Sequence, residues 1–311
     1  MHFIITGGAG FIGSHLVELL LAQGHRVTVV DNLSTGCRGN LPSHPRLQFL
    51  LRDVSSCTVQ DFIGSIDGVA HLAATPSVAD SWAHPLATHQ NNLSATVAVL
   101  ELCQALQIPR LVFTSSAAVY GDRIQLPIRE EQDTVPISPY GLQKLVGEQY
   151  GYLLSQQSHL SFVALRLFNV FGPRQLPDSP YSGVISIFKN AMENHQPITI
   201  FGDGSQSRDF VYVKDVAMAF SQALTQPMQP QQCLTCNVGT GKAISLLELV
   251  EVLQSAYPQW SQALSFAEAR AGDIKQSQAA IDKARSLLDF VPQWTIEAGM
   301  RDFLQASLLA V

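Results

Sequence analysis

Seven residues near the start, Gly7-Gly8-Ala9-Gly10-Phe11-Ile12-Gly13, constrain this chain more than any other segment. They follow a short apolar run at 3–6 and open a helix-patterned stretch that reaches about Gln23, where Gly24 ends it. Glycines at that spacing permit a tight strand-to-helix turn. They also let backbone N–H groups approach a pyrophosphate, whose charge suits the helix N-terminus. The next apolar run, 26–30, closes on Asp31, the position from which a carboxylate reaches a ribose 2′-hydroxyl. Strand, glycine turn, helix, strand and acid together read as a dinucleotide site. A carboxylate repels a 2′-phosphate, residues 32–35 carry no cation, and Arg38 is the only one nearby, so NAD is expected rather than NADP.

The alternation continues. Strand-like runs recur at 47–51, 69–73, 110–115 and 161–167, with helical patterns between several of them, notably 91–106 and 139–155. Short apolar strands separated by helices predict βαβ units and an α/β fold, a Rossmann-type doubly wound parallel sheet, here expected over 1–170. Beyond that point Gly, Pro, Ser and Asp gather at 172–183 and 202–208 as long functional loops, and 226–232 is a Pro/Gln-rich connector. Residues 244–256 and 297–309 read as helices of a smaller C-terminal α/β substrate lobe, 171–311, with the chain crossing between lobes.

Composition narrows the function classes. The chain has 311 residues and is 46% hydrophobic, enough for a large core, and only 14% charged. Nineteen cations against 25 acids leave a net charge of −6, so there is no basic surplus to displace counterions from a nucleic acid. The opening lacks a basic leader, and no apolar run reaches the ~18 residues of a membrane span, so a soluble cytoplasmic protein is expected. Five scattered cysteines fit a reducing compartment rather than a disulfide scaffold. Cys233 and Cys236 form a lone CxxC with no second pair or nearby His-x3-His, so buried thiols in a strand are expected and no metal.

The second chemical signal is Tyr140-Gly-Leu-Gln-Lys144 at the start of a predicted helix, which puts Tyr140 and Lys144 one turn apart on one face. A phenol with a pKa of ~10 is a poor base at neutral pH. An adjacent ammonium and a nicotinamide cation would stabilise the phenolate, and lowering it by ~3 units takes about 4 kcal/mol. Ser116, just past a strand, can hydrogen-bond the same substrate hydroxyl.

On these residues the chain resembles the extended short-chain dehydrogenases, within them the nucleotide-sugar epimerase/dehydratase group and most closely its UDP-hexose 4-epimerases. The likeness runs through 6–15, Asp53-Val54, 71–74, Asn91-Asn92, 114–122, 140–144, 165–172, 202–215 and 270–273. It implies that Gly7, Gly10, Phe11, Ile12 and Gly13 form the pyrophosphate turn and that Asp31 and Asn32 contact the adenosine ribose. Asp53 and Val54 would edge the adenine, Leu72, Ala73 and Ala74 line the groove, Asn91 contact the cofactor, and Phe168 lie near the nicotinamide. Ser116, Tyr140 and Lys144 match the catalytic set, and Asn169, Arg208 and Arg270 the nucleotide-sugar contacts. Guanidinium groups suit a diphosphate because they offer planar paired donors; the alternative for Arg208 and Arg270 is pairing with Asp209 and Asp273. The resemblance further implies a homodimer packed through 91–106 and 139–155.

All members of the group begin by oxidising C4 of the sugar. Dehydratases and decarboxylases of the group carry an acidic residue just beyond the hydroxyl residue, whereas Ala117 and Ala118 stand here. Methyl groups serve as neither acid nor base, which leaves oxidation, rotation of the 4-keto sugar and reduction on its other face. A UDP-sugar 4-epimerase is therefore expected. The alternatives are a sugar reductase, a UDP-glucuronate decarboxylase or epimerase, and a catalytically silent NAD-binding protein. Arg270-Ala-Gly-Asp273 resembles the segment that touches the diphosphate. Four residues further on, the family places a wall beside the hexose, bulky Tyr where only plain hexoses fit and small where 2-acetamido sugars do. Ser277 occupies that position, so UDP-N-acetylglucosamine and UDP-N-acetylgalactosamine are expected substrates alongside UDP-glucose and UDP-galactose; the alternative is a solvated loop serine between Gln276 and Gln278.

Overall fold

A computed structural model of the chain describes residues 1–122, 125–175, 183–268 and 274–308. Its strands are β1 (His2–Thr6), β2 (Arg26–Asp31), β3 (Leu47–Leu51), β4 (Gly68–His71), β5 (Arg110–Ser116), β6 (Ser161–Leu167), β7 (Asn169–Phe171), β8 (Ile198–Phe201), β9 (Ser207–Arg208), β10 (Phe210–Tyr212), β11 (Cys233–Val238), β12 (Ile244–Ser245) and β13 (Leu264–Ala267). Its helices are α1 (Phe11–Ala22), α2 (Val78–Ala83), α3 (Pro85–His89), α4 (Ala95–Ala105), α5 (Pro139–Ser155), α6 (Val184–Glu193), α7 (Val213–Thr225), α8 (Leu246–Ala256), α9 (Asp282–Leu288) and α10 (Ile296–Leu308).

Seven strands form one parallel sheet in the order β11-β6-β5-β4-β1-β2-β3. β1 and β6 are buried along their whole length, as strands must be when helices cover both faces. Leu16, Val17 and Leu20 of α1 and Val216 and Phe220 of α7 pack on one face, and Val99, Leu100 and Cys103 of α4 on the other. The strand order reverses at β1, so the C-terminal ends of β1 and β4 flank a crevice, the topological switch point where ligands of such sheets sit.

After residue 170 the chain returns to this sheet: β11 extends it beside β6, and α7 covers it. The remainder packs around a separate cluster that includes Phe171, Phe188, Tyr212, Leu249, Trp260 and Phe303. Its strands form three pairs, β7–β10 and β8–β13 parallel and β9–β12 antiparallel.

Three boundaries differ from the sequence reading. The strand expected at 69–73 stops at His71, because the Thr6 hydroxyl accepts from both Leu72 N and Ala73 N at 3.2 Å and bends the chain away. The helix expected at 91–106 continues from α3 through a π turn, Gln90–Ser94, that turns Asn92 inward. The helix expected at 244–256 starts at Leu246, because Ser245 and Glu248 form a capping box there.

Cys233 and Cys236 do lie in a strand, three residues apart, and pack into opposite hydrophobic clusters on the two faces of the sheet. Among the described residues no helix is long and apolar enough to cross a membrane.

Candidate active site

The crevice begins with the glycine turn. Gly7 has φ +68°, and a Cβ there would lie 2.7 Å from Ala73 N; a Cβ on Gly13 would lie 2.2 Å from Gly7 O. The turn is thus folded tightly on itself and on the 72–74 segment. Gly10 caps α1 with no side-chain cap, and Phe11 and Ile12 follow, half-buried where α1 meets the C-terminal cluster. Half-buried Leu72 packs against one cluster of the sheet and half-buried Ala73 against the other, beside Ala74.

At the end of β2 the buried Asp31 carboxylate accepts from Ala9 N at 2.9 Å and from Leu33 N at 2.8 Å, which fixes the acid against the glycine turn. Asn32 Nδ2 donates to Asp53 Oδ2 at 3.0 Å. Hydrogen bonds from Ser55, with that from Asn32, hold the Asp53 carboxyl below the usual range. Val54 turns its side chain into the core. Arg38 lies over the Phe49 ring at 5.1 Å and donates to Leu41 O. An uncapped glycine turn at a helix start and a fixed acid one strand on fit NAD.

Asn91 is exposed and donates to the Thr75 hydroxyl at 3.1 Å. Its buried neighbour Asn92 does more: it accepts from Thr75 N at 2.7 Å, donates to Thr75 O at 3.2 Å and donates to Gln143 Oε1 at 2.7 Å. It thereby ties the groove wall to α5. The ring nitrogens of His71 meet the hydroxyls of Thr6 at 2.7 Å and Thr96 at 3.1 Å. Burial, reinforced by the Lys144 charge, pulls its pKa down to about 3, so it is a neutral strut. Asn92 and His71 were not singled out from the sequence, although both lie inside segments that carry the family resemblance.

Ser116 ends β5 and caps the short turn Ala117–Val119. Tyr140 sits in the first turn of α5, capped by Ser138, with Ser116 beside its phenol. Gly141 is required beside it: a Cβ there would lie 2.5 Å from Ala118 O. Lys144, buried one turn on, donates to Thr114 O at 2.8 Å and lies 5.9 Å from the Tyr140 ring centre. Burial pulls Lys144 down to about 8, with Glu148 opposing the fall. Burial also raises the Tyr140 phenol, and Ser116 works against that rise. Without the nicotinamide cation that the sequence expectation also counts, burial outweighs what the chain offers and the phenol stands above its ordinary value.

Across the crevice Phe168 is buried with Val119, Tyr120, Ile128, Ala279 and Ile281. Asn169 is exposed at the start of β7 and bonds Asp209 O through its backbone at 3.0 Å. Arg208 is half-buried and donates to Ser207 O at 2.8 Å. The wholly buried Asp209 carboxylate takes four hydrogen bonds, from Thr240 N and Oγ1, each at 2.7 Å, Gly241 N at 3.0 Å and Ala279 N at 3.1 Å. Ser277 is buried and donates from its backbone to Ser207 O at 3.1 Å, so it is not a solvated loop serine. Arg270 and Asp273 lie outside the described residues.

A doubly wound sheet with a glycine turn at its switch point and a Ser/Tyr/Lys set at the β5–α5 edge defines an NAD-dependent enzyme of the extended short-chain dehydrogenase type. Comparison with known proteins agrees. Residues 3–239 match the model of the NAD dependent epimerase/dehydratase family, and the chain belongs to that family. It is 36% identical to a putative UDP-glucose 4-epimerase of Methanocaldococcus jannaschii, covering 96% of this chain and 95% of that one. The structure of a UDP-N-acetylglucosamine 4-epimerase from Methanobrevibacter ruminantium, in complex with UDP-N-acetylmuramic acid, superposes with a TM-score of 0.93 at 35% identity, covering 100% and 99% of the two chains. A UDP-glucuronic acid 4-epimerase from Bacillus cereus, with UDP-glucuronic acid and NAD, gives 0.89 at 31% identity and covers both chains fully.

Proposed function

We propose that this chain inverts C4 of a UDP-hexose through a transient 4-keto sugar, accepting 2-acetamido sugars as well as plain ones. The observation that carries the reading is the placement of Ser116 beside Tyr140, where it favours the phenolate, with Lys144 one turn away and Ala117 and Ala118 beyond Ser116. The set can move a proton at one sugar hydroxyl and offers no acid there to expel a second group.

Bound NAD supplies the acceptor and donor of hydride. Gly7, Gly10, Phe11, Ile12 and Gly13 hold its pyrophosphate, Asp31 and Asn32 its ribose, Asp53 and Val54 its adenine edge, and Leu72, Ala73, Ala74, Asn91 and Phe168 the rest of the groove. Ser116 orients the 4-hydroxyl. Tyr140 removes its proton and returns it at the end of the cycle, and the Lys144 charge favours the phenolate that does so. Asn169, Arg208, Arg270 and Asp273 hold the nucleotide and diphosphate, so that the hexose can rotate about its pyrophosphate link. Ser277 forms the wall its C2 substituent passes; its burial beside the Ser207–Arg208 strand supports that placement.

The test is incubation with UDP-glucose, UDP-N-acetylglucosamine and UDP-glucuronate, followed by NMR of the anomeric protons. The expected result is interconversion of the first two with their C4 epimers. Turnover of UDP-glucuronate alone would move the substrate to a uronate, and net NADH or CO₂ would make the enzyme a reductase or decarboxylase. Bound NAD without any turnover would mark a silent binder.

The same reading makes the protein a cytoplasmic homodimer. The faces proposed to meet a second copy are those of 91–106 and 139–155; Leu142, Tyr152 and Leu153 of α5 are exposed there, an apolar surface that supports this. Sedimentation at micromolar concentration checks it.

A further inference from the structure

Tyr140, Lys144 and Glu148 recur every four residues and form one stripe along α5. Consecutive residues at the end of β5 hold that stripe. Thr114 O accepts from Lys144 Nζ at 2.8 Å, the Ser115 hydroxyl donates to Glu148 Oε1, and Ser116 follows beside the Tyr140 phenol. From β6, Arg166 donates to both Glu148 oxygens, from Nε at 2.9 Å and from Nη2 at 2.7 Å. The pair is deeply buried, with side-chain exposures of 7% for Arg166 and 8% for Glu148. Arg166 also lies over the Tyr120 ring at 4.8 Å, and the Tyr120 hydroxyl donates to Asn237 Oδ1 at 2.6 Å, so the network is anchored as far as β11.

A buried ion pair is weak ground for stability, since well-packed apolar residues serve as well. Its placement offers another use. The titratable and charged groups around Lys144 are Tyr140 and Glu148 on its own helix, His71 on β4, and Arg166 on β6, which reaches it through Glu148. At this end β5 contributes Thr, Ser and Phe side chains only. His71 is neutral and Arg166 is cationic, so among the described residues of this set Glu148 is the group, apart from the Tyr140 phenolate itself, whose charge favours an ammonium on Lys144.

We propose that Glu148 is a positioning residue for the reaction, seated by Ser115 and Arg166 so that its carboxylate keeps Lys144 charged beside Tyr140. The inference rests on the roles given to Tyr140 and Lys144 above. It goes beyond them in making the reactive pair dependent on a third residue that never meets the sugar.

The experiment is the pH profile of kcat for NAD-loaded enzyme. Wild type should lose rate as pH rises through the range where Lys144 gives up its proton, at about 8. In Glu148→Gln that alkaline limb should begin about one pH unit lower, so that the rate falls about tenfold at pH 8.5 yet stays within about threefold of wild type at pH 6.5. Glu148→Asp, which keeps the charge, should keep the limb in place. Removing both charges in Glu148→Gln/Arg166→Met leaves no orphaned guanidinium to unfold the protein, and its limb should also lie lower. Loss by the same factor at every pH, or a limb unmoved in both neutralised variants, would overturn the proposal. Tyr140→Phe separates the two levels. Full loss of turnover there with an unmoved Glu148→Gln limb removes only the role of Glu148, whereas retained turnover overturns both.

Discussion

On the cofactor side of the crevice, backbone shapes the site: Gly7, Gly10 and Gly13 fold so closely that a methyl group on Gly13 would sit 2.2 Å from a carbonyl oxygen. On the sugar side, side chains that cross between segments do that work. One buried carboxylate, Asp209, gathers Thr240, Gly241 and Ala279, two residues from Ser277, while its own backbone meets Asn169. The first construction belongs to seven continuous strands and tolerates no change of shape. The second belongs to pairs of two- to four-residue strands, where a wall can change size without disturbing the sheet.

The glycine turn should give the largest effect. Gly13→Ala should cost about 3 kcal/mol or more, through a backbone collision that no side-chain movement relieves, and should leave no NAD in the purified protein. A melting temperature within a few degrees of wild type, with NAD retained, would show that the turn is less rigid than described. Next in size is Tyr140→Phe, expected to lower kcat at least ~100-fold with NAD still bound; retention of a tenth of the activity would remove Tyr140 as the base.

A smaller, sugar-side effect is expected from Asp209→Asn. An amide nitrogen would face backbone N–H donors that now point at a carboxylate oxygen, at a cost of about 2 kcal/mol. KM for the nucleotide sugar should rise severalfold while NAD content stays unchanged, and simultaneous loss of NAD would mean that the two sides are not independent. Ser277→Tyr should have the smallest and most selective effect, at least about tenfold on UDP-N-acetylglucosamine and little on UDP-glucose, measured as a ratio of kcat/KM values. Equal loss for both sugars would misplace the wall.

Local features were legible in the sequence. The glycine turn, Asp31 at a strand end, and Tyr140 one turn before Lys144 each declare themselves within a dozen residues, and the alternating apolar runs carry the parallel sheet. Less legible were residues whose role comes from partners far along the chain. Asn92 acts through Thr75 and Gln143, the latter 51 positions away, and Asp209 through Ala279, 70 positions away. The β8–β13 pair joins four-residue strands 66 positions apart, too short to show a period. Glu148 lies four residues beyond Lys144, but nothing in its local sequence says that Arg166 and Ser115 will bury it.

The central claim is a closed cycle in which the hydrogen removed from C4 returns to the same carbon. UDP-glucose carrying deuterium at C4 tests it most directly. The account predicts UDP-galactose that retains the full label at C4, with no deuterium in the solvent and no NADH accumulating. Product that has lost its C4 label to water, or NADH formed in step with substrate consumed, would contradict it.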